Sequence, residues 1–173
     1  MKFVIAAAYS DPRDLPALAI HADASGWDSI AVSDHVIHPE RPKTPYPYTP
    51  DGSMRWPAFT PWPDPWVAIG AMAAVTKSLR FLTNVFVLPM RSPFLAAKAV
   101  GTAAVMSGNR VALGIGVGWL RDEFELLGQD FSTRGRRTDE MIEVMRKLWS
   151  GQMVEHRGEF YAFDRIEMSP APT

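Results

Sequence analysis

The chain has 173 residues and a formal net charge of −1, so nothing in its electrostatics favours a nucleic acid or an anionic membrane as a partner. It has no cysteine, which excludes disulfides and thiolate metal sites. The apolar start is too short for a signal peptide, and no apolar run is long enough to span a bilayer. We therefore expect a cytoplasmic protein with one sizeable core.

The first sixty residues predict two strands separated by a helix. Apolar runs over residues 2–8 and 27–32 are typical of short buried strands. Between them, leucine and alanine recur at helical spacing up to Gly26. Asp11 followed by Pro12 is the expected start of this helix, because aspartate caps helices and proline fits the first turn.

Residues 38–65 break this rhythm. Nine of the fifteen prolines fall here, and proline at this density prevents regular structure. A disordered linker would be poor in aromatic residues, whereas this segment is interleaved with Tyr46, Tyr48, Trp56, Phe59 and Trp62. We interpret it as an ordered loop that covers a site. The alternative is a proline-rich surface loop with no ligand role.

The second half of the chain repeats the alternation. Helices are predicted to start at Asp64-Pro65 and at Ser92-Pro93, and each leads into a strand, over residues 80–88 and 110–116. A short helix over 121–127, a longer one over 133–149 and a strand–turn–strand over 153–163 follow. Residues 80–88 and 110–116 are expected to be adjacent parallel strands, because the helix between them allows a single crossover.

The segment RVALGIGVGW, residues 110–119, is the element around which the chain is organised. Bulky residues alternate with Gly114 and Gly116, and Gly118 follows, so one face of the strand is almost bare. This pattern predicts room for a flat ligand, and the alternative is tight packing at a bend. The spacing lacks the third glycine of a dinucleotide fingerprint, which argues against a Rossmann site.

Four strand–helix alternations predict a parallel sheet with right-handed crossovers. A doubly wound sheet would place a glycine loop after the first strand, and residues 9–12 contain no glycine. Polar or glycine-rich segments follow all four strands instead, which favours a (βα)8 barrel. A complete barrel needs about 250 residues, so residues 1–173 are expected to form its N-terminal half, with about four βα units.

Four segments taken in order resemble the bacterial luciferase-like superfamily: SDHV, LTNVFVLPMRSPFLAAK, SGNRVALGIGVGW and RGRRTDEMIEVMRKLWSG. More narrowly, they resemble oxidoreductases that use the deazaflavin coenzyme F-420. The resemblance implies a (βα)8 barrel with the deazaflavin ring lying across the carboxyl ends of the strands. It implies that Asp34 and His35 lie beside the reactive edge of that ring.

The resemblance also implies which residues hold the coenzyme. A cis peptide bond is expected between Asn84 and Val85, forming a bulge behind the ring, and Gly116, Gly118 and Trp119 are expected to contact the coenzyme. The sequence departs from the family at two positions. Trp119 stands where some sugar-phosphate dehydrogenases carry a catalytic glutamate, which leaves the source of the proton open. Ala104 stands where many relatives have an aspartate.

The expected function is hydride transfer between coenzyme F-420 and a small organic substrate. His35 would be the acid or base, since histidine exchanges protons near neutral pH, and Asp34 its polar partner. An FMN-dependent monooxygenase is an alternative, and a catalytically inert half-barrel is another. A homodimer is expected, because an open half-barrel leaves two sheet edges and an apolar face uncovered.

Two other clusters contain side chains of the kinds that bind metal ions or anions. Asp34, His35, His38 and Glu40 would have to converge from one loop to bind a metal ion, and no metal site is expected. Arg134, Arg136 and Arg137 could meet a phosphate or polyglutamate tail. The alternative is a solvated helix start with internal Arg–Asp pairs.

Overall fold

The computed structural model describes all residues from Met1 to Thr173. Six strands build a four-stranded sheet and its two-stranded continuation, namely β1 (Val4–Ala6), β2 (Ser29–Val32), β3 (Arg80–Thr83), β4 (Phe86–Val87), β5 (Val111–Ala112) and β6 (Ile115–Gly116). The strand order is β1-β2-β3-β5, and β4 pairs with β6 just beyond β3 and β5. Every one of these pairs is parallel, as the alternating sequence pattern predicts.

Five α-helices accompany the strands: α1 (Leu15–Ala24), α2 (Pro65–Ala74), α3 (Pro93–Met106), α4 (Arg121–Leu126) and α5 (Arg134–Leu148). Helices α1, α2, α3 and α5 contact one another in that order, which follows the order of the strands. The sheet and its helices therefore have the α/β arrangement of the first half of a (βα)8 barrel. None of the helices combines the length and the apolar character required to cross a membrane.

The predicted neighbours, residues 80–88 and 110–116, are adjacent and parallel, but each is interrupted. Phe81 pairs with Val111, and the pairing resumes at Phe86 opposite Ile115. The chain bulges between these pairs, and the Asn84–Val85 peptide there is cis, as the family resemblance implies.

The side chain of Thr83 bridges the interruption. Its hydroxyl accepts from the Gly114 N–H and donates to the Gly114 carbonyl, both at 2.9 Å. This side chain therefore supplies the hydrogen bonds that the sheet ladder lacks at the bulge.

The predicted start of α1 is wrong. The helix begins at Leu15 after Asp14, and the Asp11 carboxylate instead accepts from the backbone N–H of Arg13 at 2.9 Å. Asp11 forms a local turn and is not a helix cap, so the helix starts after Asp14 and not after Asp11. The start of α2 is as predicted, since Asp64 accepts from the N–H groups of Trp66 and Val67 at 2.9 and 3.0 Å.

The main core lies between the sheet and the helices. It is a cluster of 23 buried apolar residues, among them Ile30, Ile69, Phe81 and Leu148. The C-terminal hairpin, β7 (Val154–Arg157) and β8 (Ala162–Ile166), is antiparallel and packs against α5. The carboxyl ends of β1, β2, β3 and β6 are thereby fixed at one edge of the sheet, where the site described below is found.

Candidate functional site

A cavity of about 510 Å³ opens at the carboxyl ends of the strands. Its wall comes from the segments after β1, β2, β3 and β6, together with the loop of residues 38–65. All seven predicted site residues line this one cavity: Asp34, His35, Asn84, Val85, Gly116, Gly118 and Trp119. The structure therefore brings them together, although they lie far apart in the sequence, and their roles stay predictions.

Asp34 is buried and fully engaged by protein groups. Its two oxygens form a bidentate ion pair with the guanidinium of Arg91, at 2.7 Å for each bond, and one oxygen also accepts from the Val87 N–H at 2.9 Å. Burial raises the pKa of Asp34 above its ordinary value, against the opposing effect of Arg91 and the Val87 N–H. The pair ties the end of β2 to the end of β4, directly before His35.

His35 hydrogen-bonds to Glu123, and the expected bond to Asp34 is not formed. Its Nδ1 lies 3.2 and 3.3 Å from the two carboxylate oxygens of Glu123, the nearer being Oε2. Oε1 of the same carboxylate also accepts from the backbone N–H of Val36 at 2.5 Å and of Ile37 at 3.3 Å. Asp34 was therefore the wrong partner, because Arg91 already occupies both of its oxygens.

The loop of residues 38–65 is ordered and closes over His35. The His35 ring centroid lies 4.8 Å from that of Trp62 and 5.1 Å from that of Trp56. The loop is anchored on α4 by the Lys43 N–H, which donates to Asp122 at 3.0 Å. We name residues 38–65 the aromatic lid.

The aromatic lid continues across the mouth of the cavity. Tyr46 lies 5.4 Å from Trp56 and 5.1 Å from Trp119, measured between ring centroids. The ring nitrogen of Trp62 is buried and has no hydrogen-bond partner in the protein. Since buried donors are nearly always satisfied, this N–H is available to a bound molecule.

Two glycines of the central strand are required by packing. A Cβ on Gly114 would lie 2.1 Å from the Thr83 carbonyl oxygen, and one on Gly116 would lie 2.4 Å from a methyl group of Val85. Tight packing against the bulge, the alternative reading of this strand, therefore accounts for both. The bulge in turn leaves Val85 partly exposed on the wall of the cavity, next to the bare backbone of Gly116.

The three arginines of α5 are engaged by protein groups. Arg137 is buried and donates to the Pro89 carbonyl at 2.9 Å, Arg134 donates to the Gly118 carbonyl at 3.2 Å, and Arg136 pairs with Glu159. Arg137 also donates to the backbone carbonyl of Asp130 at 3.1 Å, but none of the three arginines pairs with an aspartate carboxylate, so the Arg–Asp ion pairs of the alternative are not formed. The side chains of Asp34, His35, His38 and Glu40 do not converge, since no three of the histidine, aspartate and glutamate side chains come together as a metal-binding group.

Comparison with known proteins gives the site its context. A family model described as luciferase-like monooxygenase matches residues 3–173. An uncharacterised protein of Mycobacterium tuberculosis is 40% identical over 173 residues, which is 100% of this chain and 60% of that protein. An F-420-dependent glucose-6-phosphate dehydrogenase of Amycolatopsis mediterranei is 32% identical over 171 residues, 93% of this chain and 46% of that protein.

A third relative is an FMNH2-dependent dimethylsulfone monooxygenase of Pseudomonas fluorescens. It is 34% identical over 105 residues, which covers 59% of this chain and 29% of that protein. The chain thus spans less than two thirds of the length of each of these three relatives.

Two solved structures show the fold. The monooxygenase RslO1 from Streptomyces bottropensis superposes with a TM-score of 0.80 at 25% identity, over 99% of this chain and 50% of that one. An F-420-dependent secondary alcohol dehydrogenase, solved with an F-420–acetone adduct, gives a TM-score of 0.74 at 24% identity, also over 99% and 50%. The chain corresponds to about half of each of these proteins.

Proposed function

Since the chain belongs to the luciferase-like monooxygenase family, we propose that it carries the redox site of an oxidoreductase that uses coenzyme F-420. Relatives in this family include both F-420-dependent and FMN-dependent enzymes. The deazaflavin is favoured because the F-420-dependent relative aligns over 171 residues and the FMN-dependent one over 105.

The cavity suits a flat ring. Its volume of about 510 Å³ lies within the range of small-molecule sites. Val85 offers an apolar surface, and Gly116 and Gly118 expose backbone without side chains. Asn84 and the unpartnered N–H of Trp62 are polar groups on the same wall. These residues would hold the coenzyme, with Trp119 completing the wall.

The observation that carries the proposal is the free nitrogen of His35. Its Nδ1 is bound to Glu123, whereas Nε2 has no hydrogen-bond partner in the protein and His35 lines the cavity. A bound deazaflavin would supply or accept a hydride. Nε2 of His35 would take the hydroxyl proton of an alcohol as it is oxidised, and return it in the reverse direction.

The same cavity favours an uncharged substrate. Asp34 and Glu123 are its only acidic lining residues, and both are bound by protein groups. No lysine or arginine lines it. Burying an unpaired charge is strongly unfavourable, so the part of the substrate beneath the aromatic lid is expected to be neutral. The lid would exclude water around the reacting atoms.

The experiment is a binding and turnover assay on the purified protein. Coenzyme F-420 and FMN are titrated separately, and binding is followed by the change in their absorption and fluorescence. Turnover is then measured with uncharged secondary alcohols, with propan-2-ol first, and with glucose 6-phosphate. Binding of F-420 with alcohol turnover that falls about 10²- to 10⁴-fold in His35→Ala supports the proposal. Failure to bind F-420 would refute it.

The FMN-dependent monooxygenase stays the second candidate, because the dimethylsulfone monooxygenase relative aligns with 59% of this chain. Its distinguishing result would be binding of reduced FMN, with oxygen consumed in the presence of substrate and no reaction with F-420.

A further inference from the structure

Glu123 is a buried carboxylate that the sheet topology does not explain. It lies in α4, which is not a strand end, and its side chain is only 2% exposed. A buried carboxylate is tolerated only when its oxygens are hydrogen-bonded. Here all of its hydrogen bonds go to one short segment, to the ring of His35 and the N–H groups of Val36 and Ile37.

The hydrogen-bond network fixes where the proton of His35 lies. A carboxylate has only acceptor oxygens, and Oε1 of Glu123 already accepts from two backbone N–H groups. The hydrogen bond to His35 therefore requires a proton on Nδ1. In the neutral ring, Nε2 is then the hydrogen-bond acceptor, and it is available to a molecule bound in the cavity that His35 lines.

We propose that Glu123 is a positioning residue that holds His35 in the tautomer with the proton on Nδ1, so that Nε2 exchanges the proton with the substrate. This inference rests on the proposed function of His35 as the proton carrier. Glu123 does not contact the reacting atoms in this scheme; it acts through the imidazole. The packing of Trp56 and Trp62 against the ring restricts its rotation, so the tautomer and the orientation are set together.

The Glu123→Gln variant tests the tautomer directly. Its amide oxygen can keep the bond from the Val36 N–H, which turns the amide N–H toward Nδ1 of His35. Nδ1 must then accept, and the proton moves to Nε2. The control is Glu125→Gln on the same helix, since Glu125 pairs with Lys43 at the surface and lies outside the cavity.

The tautomer is read from long-range nitrogen–proton NMR spectra of histidine-labelled protein, with His35 assigned by its loss in His35→Ala. We expect the Nδ1–H pattern in the wild type and in Glu125→Gln, and the Nε2–H pattern in Glu123→Gln. Turnover of propan-2-ol with coenzyme F-420 should fall at least about 10²-fold in Glu123→Gln, with a much smaller change in KM.

The outcomes separate this inference from the proposed function. Finding the proton on Nε2 of His35 in the wild-type protein would overturn the inference whatever the activity. This test does not depend on any variant folding. If the proton of His35 moves to Nε2 in Glu123→Gln but turnover is unchanged, the role of His35 as proton carrier is overturned. Unchanged turnover in His35→Ala would overturn the role of His35 as proton carrier and with it the catalytic part of this inference, whereas the spectrum of the wild type would still report whether Glu123 sets the tautomer.

Discussion

Replacing Arg91 with methionine is expected to destabilise the protein by about 3–5 kcal/mol, because it leaves a buried charge without its partner. The Asp34 side chain is 1% exposed and would keep only the bond from the Val87 N–H after losing both bonds to Arg91. The free energy of unfolding is measured by urea titration. The comparison with the wild type holds if the slope of this free energy against urea concentration is the same in both proteins.

The sign of the pH dependence follows from the pKa of Asp34. Burial already raises it, and removal of Arg91 raises it further, so the folded-state pKa lies above the unfolded one. A carboxyl group of this kind contributes its stability below the unfolded pKa and loses it as the pH rises through the folded pKa. The deficit of Arg91→Met should therefore be larger at pH 8 than at pH 5.

Two further variants make the comparison sharp. The control is Arg136→Met, which breaks an ion pair with Glu159 whose side chains are 65% and 55% exposed, and it should change stability by no more than about 1 kcal/mol. The double variant of Asp34→Asn with Arg91→Met removes both charges and should recover about 1–3 kcal/mol. If Arg91→Met and Arg136→Met lose equal stability, the reasoning about the buried pair is wrong.

Three further predictions concern other parts of the fold. Asp23 accepts from three consecutive N–H groups after α2, chiefly that of Lys77, and these bonds lower its pKa to about 2. Asp23→Asn should therefore lower the free energy of unfolding at pH 7 by about 1 kcal/mol, allowing for solvent screening. The difference from the wild type should be smaller in unfolding experiments at pH 3, because the contribution of the carboxylate is lost as the pH falls from about 4 toward 2. Gly114→Ala should lower the free energy of unfolding by about 1–3 kcal/mol through its clash with the backbone of β3, whereas Gly70→Ala, with open space at its Cβ, should raise it by about 0.5–1 kcal/mol; equal melting temperatures would contradict this. Trp62→Phe keeps an aromatic ring but removes the unpartnered N–H, and it should weaken binding of coenzyme F-420 or substrate about two- to tenfold by titration, while unchanged affinities for both would show that this donor is unused.

The architecture and the residues of the cavity could be predicted from the sequence for a physical reason. Parallel strands joined by helices bring their carboxyl ends to one edge of a sheet, so residues after successive strands must meet. Asp34 and Asn84 follow different strands and line the same cavity on that account. The cis peptide at Asn84–Val85 came from the family resemblance alone, since nothing in the local sequence requires it.

The partners of the site could not be predicted in the same way. Glu123 meets His35 across 88 positions, and Arg91 meets Asp34 across 57. Neither partner directly follows a strand, since Arg91 comes after a short helix over Leu88–Met90 and Glu123 lies within α4, so the rule that located the other residues does not apply to them. One signal was present: Glu123 lies between Leu120 and Phe124, which are both buried, and an acid on the inner face of a helix needs a partner.

The prediction of where α1 starts was wrong because two aspartates carry equivalent helix-start signals. Asp11 and Asp14 both precede the helix, and each is followed within two residues by a proline. The choice between them depends on Asp11 bonding to Arg13, a contact that the sequence pattern does not distinguish from a cap.

The two buried acids have separate tasks, and together they explain the chemistry that the cavity favours. Asp34, held by Arg91, fixes the end of β2, and Glu123 fixes the imidazole that follows. Both carboxylates are therefore bound by groups of the protein itself, and neither is left to bind a ligand. Nε2 of His35 is left free among aromatic rings, as is the N–H of Trp62, which suits the proposed reaction, in which a neutral substrate gives one proton to the protein and one hydride to a cofactor. A phosphorylated sugar would find no cation among these residues and would need one from outside them.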